Sequence, residues 1–80
     1  MAVVVSISPA GPSAMTVIVN SKPEELPDGA TVAALLTQLK LIEKRVAVES
    51  NKELVTRAEW ATHILKNGDK IEIVSFVGGG

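Results

Sequence analysis

The chain changes character at Met15. After it, apolar and polar positions recur with readable periods; before it they do not. Thr16-Val17-Ile18-Val19 is β-branched and apolar, the composition of a strand. Asn20-Ser21-Lys22 marks a turn, and Glu24-Glu25-Leu26 a short second strand. Pro23 and Pro27 confine that strand to a sheet edge, because proline has no N–H for a ladder. Asp28-Gly29 turns the chain again. Val32, Leu35, Leu36 and Leu39 then fall at i, i+3, i+4 and i+7, which predicts a helix from Val32 to Leu39 with Thr31 as its N-cap. Leu35 and Leu36 should be its most buried residues.

Arg45-Val46-Ala47-Val48-Glu49 reads as the next strand, Ser50-Asn51-Lys52 as a turn, and Glu53-Leu54-Val55 as another short strand. Between Arg57 and Lys66, Ala58, Ala61 and Leu65 share a helical spacing, which predicts one or two helical turns. Asn67-Gly68 is a turn signal, and Asp69 to Phe76 the last strand. Val77 and Gly78-Gly79-Gly80 close the chain. The order β-β-α-β-β-(short helix)-β predicts an α+β domain, a mixed sheet of four to five strands packed on one main helix. It is the element order of the β-grasp, or ubiquitin-like, arrangement. That arrangement puts the C-terminal strand in the middle of the sheet, a placement which the period alone does not give.

Residues 1–14 carry no charge, and Pro9, Gly11 and Pro12 break any regular element. They are expected to form a disordered extension, with a folded domain over 15–77 and a flexible glycine tail over 78–80. A chain of 80 residues has room for one small domain. Lys+Arg number 8 and Asp+Glu 9, and there is one Trp, one Phe and no Tyr, which argues against a basic or base-stacking nucleic-acid surface. Without cysteine there is no disulfide, thiolate nucleophile or cysteine-ligated metal. No apolar run reaches the roughly 18 residues of a membrane span. A cytoplasmic protein, monomeric when free, with no bound metal or cofactor, is the expectation.

Side-chain chemistry is sparse. Glu24 and Glu25 are adjacent and face opposite sides of a strand, so they make no acid–base pair. Glu43-Lys44-Arg45 reads as a solvated loop. His63, the single histidine, has no carboxylate pattern around it. Trp60 reads as an anchor over one end of a small core, and Asn67-Gly68-Asp69 as a turn with too few carboxylates for a metal loop. The tail is different. Glycines bury nothing and lose much entropy on ordering, so they add nothing to the fold. A thin peptide without Cβ atoms is suited to threading a narrow channel into a second protein. Along the strands, alternation turns Val17, Val19, Val46, Val48, Ile71 and Ile73 toward the helix. It turns Ile18, Ala47, Val74 and Phe76 outward as a candidate docking patch near the tail.

Taken together, several segments resemble the ThiS family of bacterial sulfur carriers. They are Glu25–Leu36, Arg45–Asn51, Leu54–Ala61 and Gly68–Val74 with the terminal glycines, in the family's order. Residues before Met15 have no counterpart in the usual family pattern, and Thr56 stands where many members carry proline. The resemblance implies that Gly80 offers its α-carboxylate to an E1-like adenylyltransferase. That partner, with its ATP and Mg²⁺, would make a Gly80 acyl-adenylate. A persulfide donor would convert it to a thiocarboxylate, and a thiazole synthase would take the sulfur. Gly78 and Gly79 would give the tail its reach. The protein would then be a co-substrate and no enzyme. Related readings are the small sulfur-carrier subunit of molybdopterin synthase, another thiocarboxylate carrier, and a ubiquitin-like modifier or binding module. The first usually has prolines before its terminal glycines, where this chain has Ser75-Phe76-Val77.

Overall fold

The structure, a computed structural model, describes residues 14–76. Most of the leading segment and the three terminal glycines lie outside the described residues. Strands β1 (Ala14–Val19) and β2 (Lys22–Pro27) form an antiparallel hairpin. Helix α1 (Val32–Gln38) follows, then β3 (Val46–Ser50), β4 (Glu53–Val55) and β5 (Lys70–Ser75). The sheet order is β2-β1-β5-β3-β4. The C-terminal strand is therefore central, parallel to β1 on one side and antiparallel to β3 on the other. This is the β-grasp arrangement expected from the element order.

The hairpin turns at Asn20 and Ser21, both with left-handed backbone (φ 48° and 73°). β2 is an edge strand, as its two prolines require, and it is longer than Glu24–Leu26: Pro23 and Pro27 lie within it, paired with Ile18 and Ala14. An edge strand has one free side, so a missing N–H there costs no ladder bond. β1 likewise takes in Ala14, a residue that the sequence pattern leaves to the leading segment. β3 starts one residue later than the pattern suggests and includes Ser50, whose side chain is buried.

α1 ends at Gln38, and Leu39 is its C-cap. Lys40 then adopts φ 64°, so Leu39 leaves the helix while keeping its apolar contact with the core. At the other end the Thr31 hydroxyl accepts from the Ala34 N–H at 3.1 Å, as expected of an N-cap. The remaining N-terminal amides find backbone acceptors. Val32 donates to the His63 carbonyl (3.0 Å), Ala33 to that of Trp60 (2.9 Å) and Leu35 to that of Thr31 (3.0 Å).

Those bonds go with the shorter of the two expected lengths for the segment that follows β4. Between Arg57 and Lys66 the chain forms one 3₁₀ turn, Arg57–Glu59, and no longer helix. Ala58 and Ala61 are exposed, and only Leu65 of the proposed face is buried. Carbonyls that would close a second turn are occupied instead with capping α1. Trp60 is buried as expected, its indole N–H donating to the Val55 carbonyl (3.2 Å), and the Arg57 guanidinium lies 4.5 Å from its ring centroid. The Thr56 N–H donates to the Glu59 carboxylate (3.1 Å), a bond that proline at this position could not make.

Leu35, Leu36, Val17, Val32 and Val48 are wholly buried between α1 and the sheet. Val19, Val46 and Ile71 join them, and Ile73 packs partly buried against the same core. The inward set read from alternation is thus the one observed.

Candidate functional site

The face of the sheet turned away from α1 is laid out by strand register. Ala47 pairs directly with Val74, and Glu49 with Glu72, across β3 and β5. The Phe76 N–H donates to the Arg45 carbonyl (2.9 Å), which carries the ladder one bond beyond the end of β5. Phe76 therefore projects on the same side as Val74, two residues further toward the tail. Val74 and Phe76 are 56% and 57% exposed, large values for residues of this kind in a small domain. Ala47 is half-buried between them and the edge.

Ile18, the fourth residue of the proposed patch, is elsewhere. It faces the same side, but its neighbours are Pro23 on β2 and Lys70 on β5. Lys70 and Val74 are four residues apart on β5, about 13 Å along a strand. The Glu49–Glu72 pair lies between. The structure brings Ala47, Val74 and Phe76 together and leaves Ile18 apart. Parity gave each residue its face, but the register of β1 against β5 sets how far along the face it sits, and parity does not contain that register.

The structure adds Leu54, which the sequence reading missed. On β4 it pairs with Glu49 of β3, and it is 63% exposed. In Glu53-Leu54-Val55 only one of the adjacent apolar residues can face the core, and Val55 does. A three-residue strand contains too short an alternation to show which. Ile64 is exposed too, but on the connection between β4 and β5.

On the opposite side of the sheet an open cleft of about 560 Å³ lies near the end of β5, lined by apolar Val19, Leu39, Leu41, Val46 and Ile73 and by polar Asn20, Lys22, Glu24 and Ser75. His63 is half-buried and contributes its backbone carbonyl to the cap of α1. Among the described residues no group of three His, Cys, Asp or Glu side chains could hold a metal ion. No helix among them is long and apolar enough to cross a membrane.

A β-grasp domain whose central last strand runs beside an exposed apolar patch into terminal glycines belongs to the ubiquitin-like class of small carriers and modifiers. Comparison with known proteins narrows the class. The ThiS family model matches residues 14–80, and the chain belongs to the ThiS family. The match includes all three terminal glycines. Over 66 residues the chain is 33% identical to the sulfur carrier protein ThiS of Escherichia coli, covering 82% of this chain and 100% of that protein. It is 39% identical over 66 residues to a thiazole synthase of Paramagnetospirillum magneticum, where the match covers 82% of this chain and 20% of the relative. This chain thus spans about a fifth of that longer protein. Among solved structures, the crystal structure of ThiS from Geobacter metallireducens superposes with a TM-score of 0.70 at 35% identity, covering 82% of this chain and 100% of that one.

Proposed function

We propose that this chain is a sulfur carrier for thiazole formation in thiamine biosynthesis, with the Gly80 carboxylate as the cargo site. The observation that carries the reading is the family match through residue 80, on a fold whose last strand, β5, is central in the sheet. The relatives that include thiazole synthases favour the thiazole route over molybdopterin synthesis or protein modification.

In this reading an E1-like adenylyltransferase uses its own ATP and Mg²⁺. A Gly80 carboxylate oxygen attacks the α-phosphorus and pyrophosphate leaves, giving the acyl-adenylate. A carboxylate is a poor electrophile, and AMP supplies the leaving group. The terminal sulfur of a persulfide then attacks the carbonyl carbon and AMP departs. A thiol cleaves the resulting S–S bond, forming a disulfide and leaving the Gly80 thiocarboxylate. A thiazole synthase accepts that sulfur. The catalytic groups belong to the partners, which fits a chain with no cysteine and one histidine; its role is that of a cytoplasmic co-substrate.

Ala47, Val74 and Phe76 are the residues we assign to docking, with Gly78 and Gly79 giving reach. Phe76 is four residues from Gly80, at most about 14 Å of extended chain, so a partner gripping the patch holds the carboxylate within that radius. Intact-mass spectrometry after incubation with an E1-like enzyme, ATP and a persulfide source tests the reading. It expects the mass gain of one carboxylate oxygen replaced by sulfur, located at Gly80; an unchanged mass with an active partner present refutes it.

A further inference from the structure

The end of β5 is open on one side. Along this strand the backbone groups of even-numbered residues point to β3, as the Phe76–Arg45 and Asn51–Lys70 bonds show. Those of Ile71, Ile73 and Ser75 therefore point toward β1. β1 itself reaches only Ile71, whose carbonyl accepts from the Asn20 N–H (2.9 Å). There the hairpin turns away, and the Asn20 side chain takes over. Its Oδ1 accepts from the Ile73 N–H (2.9 Å), and its Nδ2 donates to the Ile73 carbonyl (3.1 Å). Among the described residues no strand lies beside Ser75 on this side.

Beside that edge is the cleft described above, whose floor combines an apolar part around Leu39, Leu41 and Ile73 with a polar part that includes Lys22, Glu24 and Ser75. An unpaired strand edge is a template for another strand. An edge next to an apolar groove is the combination that extended peptides use, with main-chain bonds to the edge and alternate side chains in the groove. The position fits a partner that handles the tail, since Ser75 is five residues before Gly80.

We infer that an extended segment of the thiazole synthase partner, the class of protein in which two relatives carry a domain like this one over about 20% of their length, adds to β5 at Ser75, as a short continuation of the line of β1, with an apolar side chain in the cleft. The inference rests on the sulfur-carrier reading and adds to it a second contact, on the face opposite Val74 and Phe76. The chain leading to the tail is then held by β3 on one side and by the partner on the other. That converts a one-sided strand end into a central strand and reduces the freedom of the carboxylate.

The test is amide hydrogen exchange of the protein alone and in complex with a cognate thiazole synthase. The Ser75 amide is expected to exchange freely alone and to be protected in the complex. A Ser75→Pro variant removes only the outward N–H, because proline is tolerated where the N–H faces no ladder partner. It should keep the thermal midpoint and weaken the complex on the order of tenfold, the worth of one lost hydrogen bond. Ser75→Ala should bind normally. A complex in which Ser75 exchanges as in the free protein overturns the inference, as does normal binding by a folded Ser75→Pro variant. Protection that instead grows with the concentration of the protein alone identifies a second copy as the occupant, and overturns it too. The carrier reading is scored separately by sulfur loading at Gly80: loading without Ser75 protection leaves that reading standing and removes this one.

Discussion

The two ends of β5 are built differently. At its start the strand is gripped on both sides. Val19 pairs with Ile71 from β1, Ser50 pairs with Ile71 from β3, and the Asn51 side chain accepts from the Lys70 N–H at 3.0 Å. Asp69 just before it accepts from Asn51 (3.0 Å) and from the Lys66 N–H (2.8 Å), so the entry to the strand is tied to two turns. At its end β5 keeps β3 but runs past β1, and among the described residues the Asn20 side chain is the last tie on that side. Ile71 is buried, whereas Val74 and Phe76 are exposed. The fold concentrates hydrogen bonds and burial where the strand must be immobile. Among the described residues it leaves backbone edge and apolar surface uncovered at the end nearer the C-terminus, where we propose that a partner docks.

This contrast is broken most sharply at the two extremes. Removing Gly80, or adding one residue after it, should abolish thiocarboxylate formation by mass spectrometry while the thermal midpoint stays unchanged. Deletion shifts the carboxylate by about 3.5 Å, and a misplacement of ~1 Å already costs about a hundredfold in rate. A chain lacking Gly79 and Gly80 that still gained sulfur would sink the carrier reading. Leu36→Ala is the opposite experiment. It should cost about 2–5 kcal/mol in chemical denaturation, a large share of a small domain's stability, yet leave the folded fraction able to load sulfur. An unchanged midpoint would mean that the core is not organised around this face of α1.

Smaller effects sharpen the contrast along β5 itself. Asn20→Ala removes two bonds to Ile73 and puts alanine at φ 48°. It should lower stability by roughly 1–3 kcal/mol, from about 0.5–1.5 for each bond, and should speed amide exchange at Ile73 more than at Ile71. Equal acceleration at both would show that the asparagine is no local tie. Phe76→Asp should leave the denaturation curve in place and weaken partner binding by about 1–2 kcal/mol in titration calorimetry, as a charge placed in a dry contact does. Ile18→Thr, at the far end of the same face, should change binding by less than about 0.5 kcal/mol. A loss as large as that at Phe76 would restore Ile18 to the docking patch.

Much of this was legible beforehand. The helix periodicity of Val32, Leu35 and Leu36 and the threonine before it specify α1 and its cap, because both signals act within one or two turns of chain. Alternation assigns the face of each residue in β1, β3 and β5, because a strand's period is strictly two. Pro23 and Pro27 mark an edge through a missing donor, a property of the residue itself. The terminal glycines add no packing, and the resemblance to the ThiS family is what marks them as the proposed cargo end.

What the sequence by itself determined is therefore local: the elements and the faces of their residues. Only the tertiary structure decided which residues meet. Strand order and register separate Ile18 from Val74 and bring Leu54 beside Glu49, and these depend on pairing between segments far apart in the chain. The carbonyls of Trp60 and His63 cap α1 and so never build a second helix, a competition invisible to a spacing rule. Asn20 binds Ile73 across 53 positions of sequence, and among the described residues no strand lies beyond it at Ser75. Hydrogen-bond partners of that separation are chosen by the closure of the whole sheet, because each backbone group takes whichever partner the packed core places within reach.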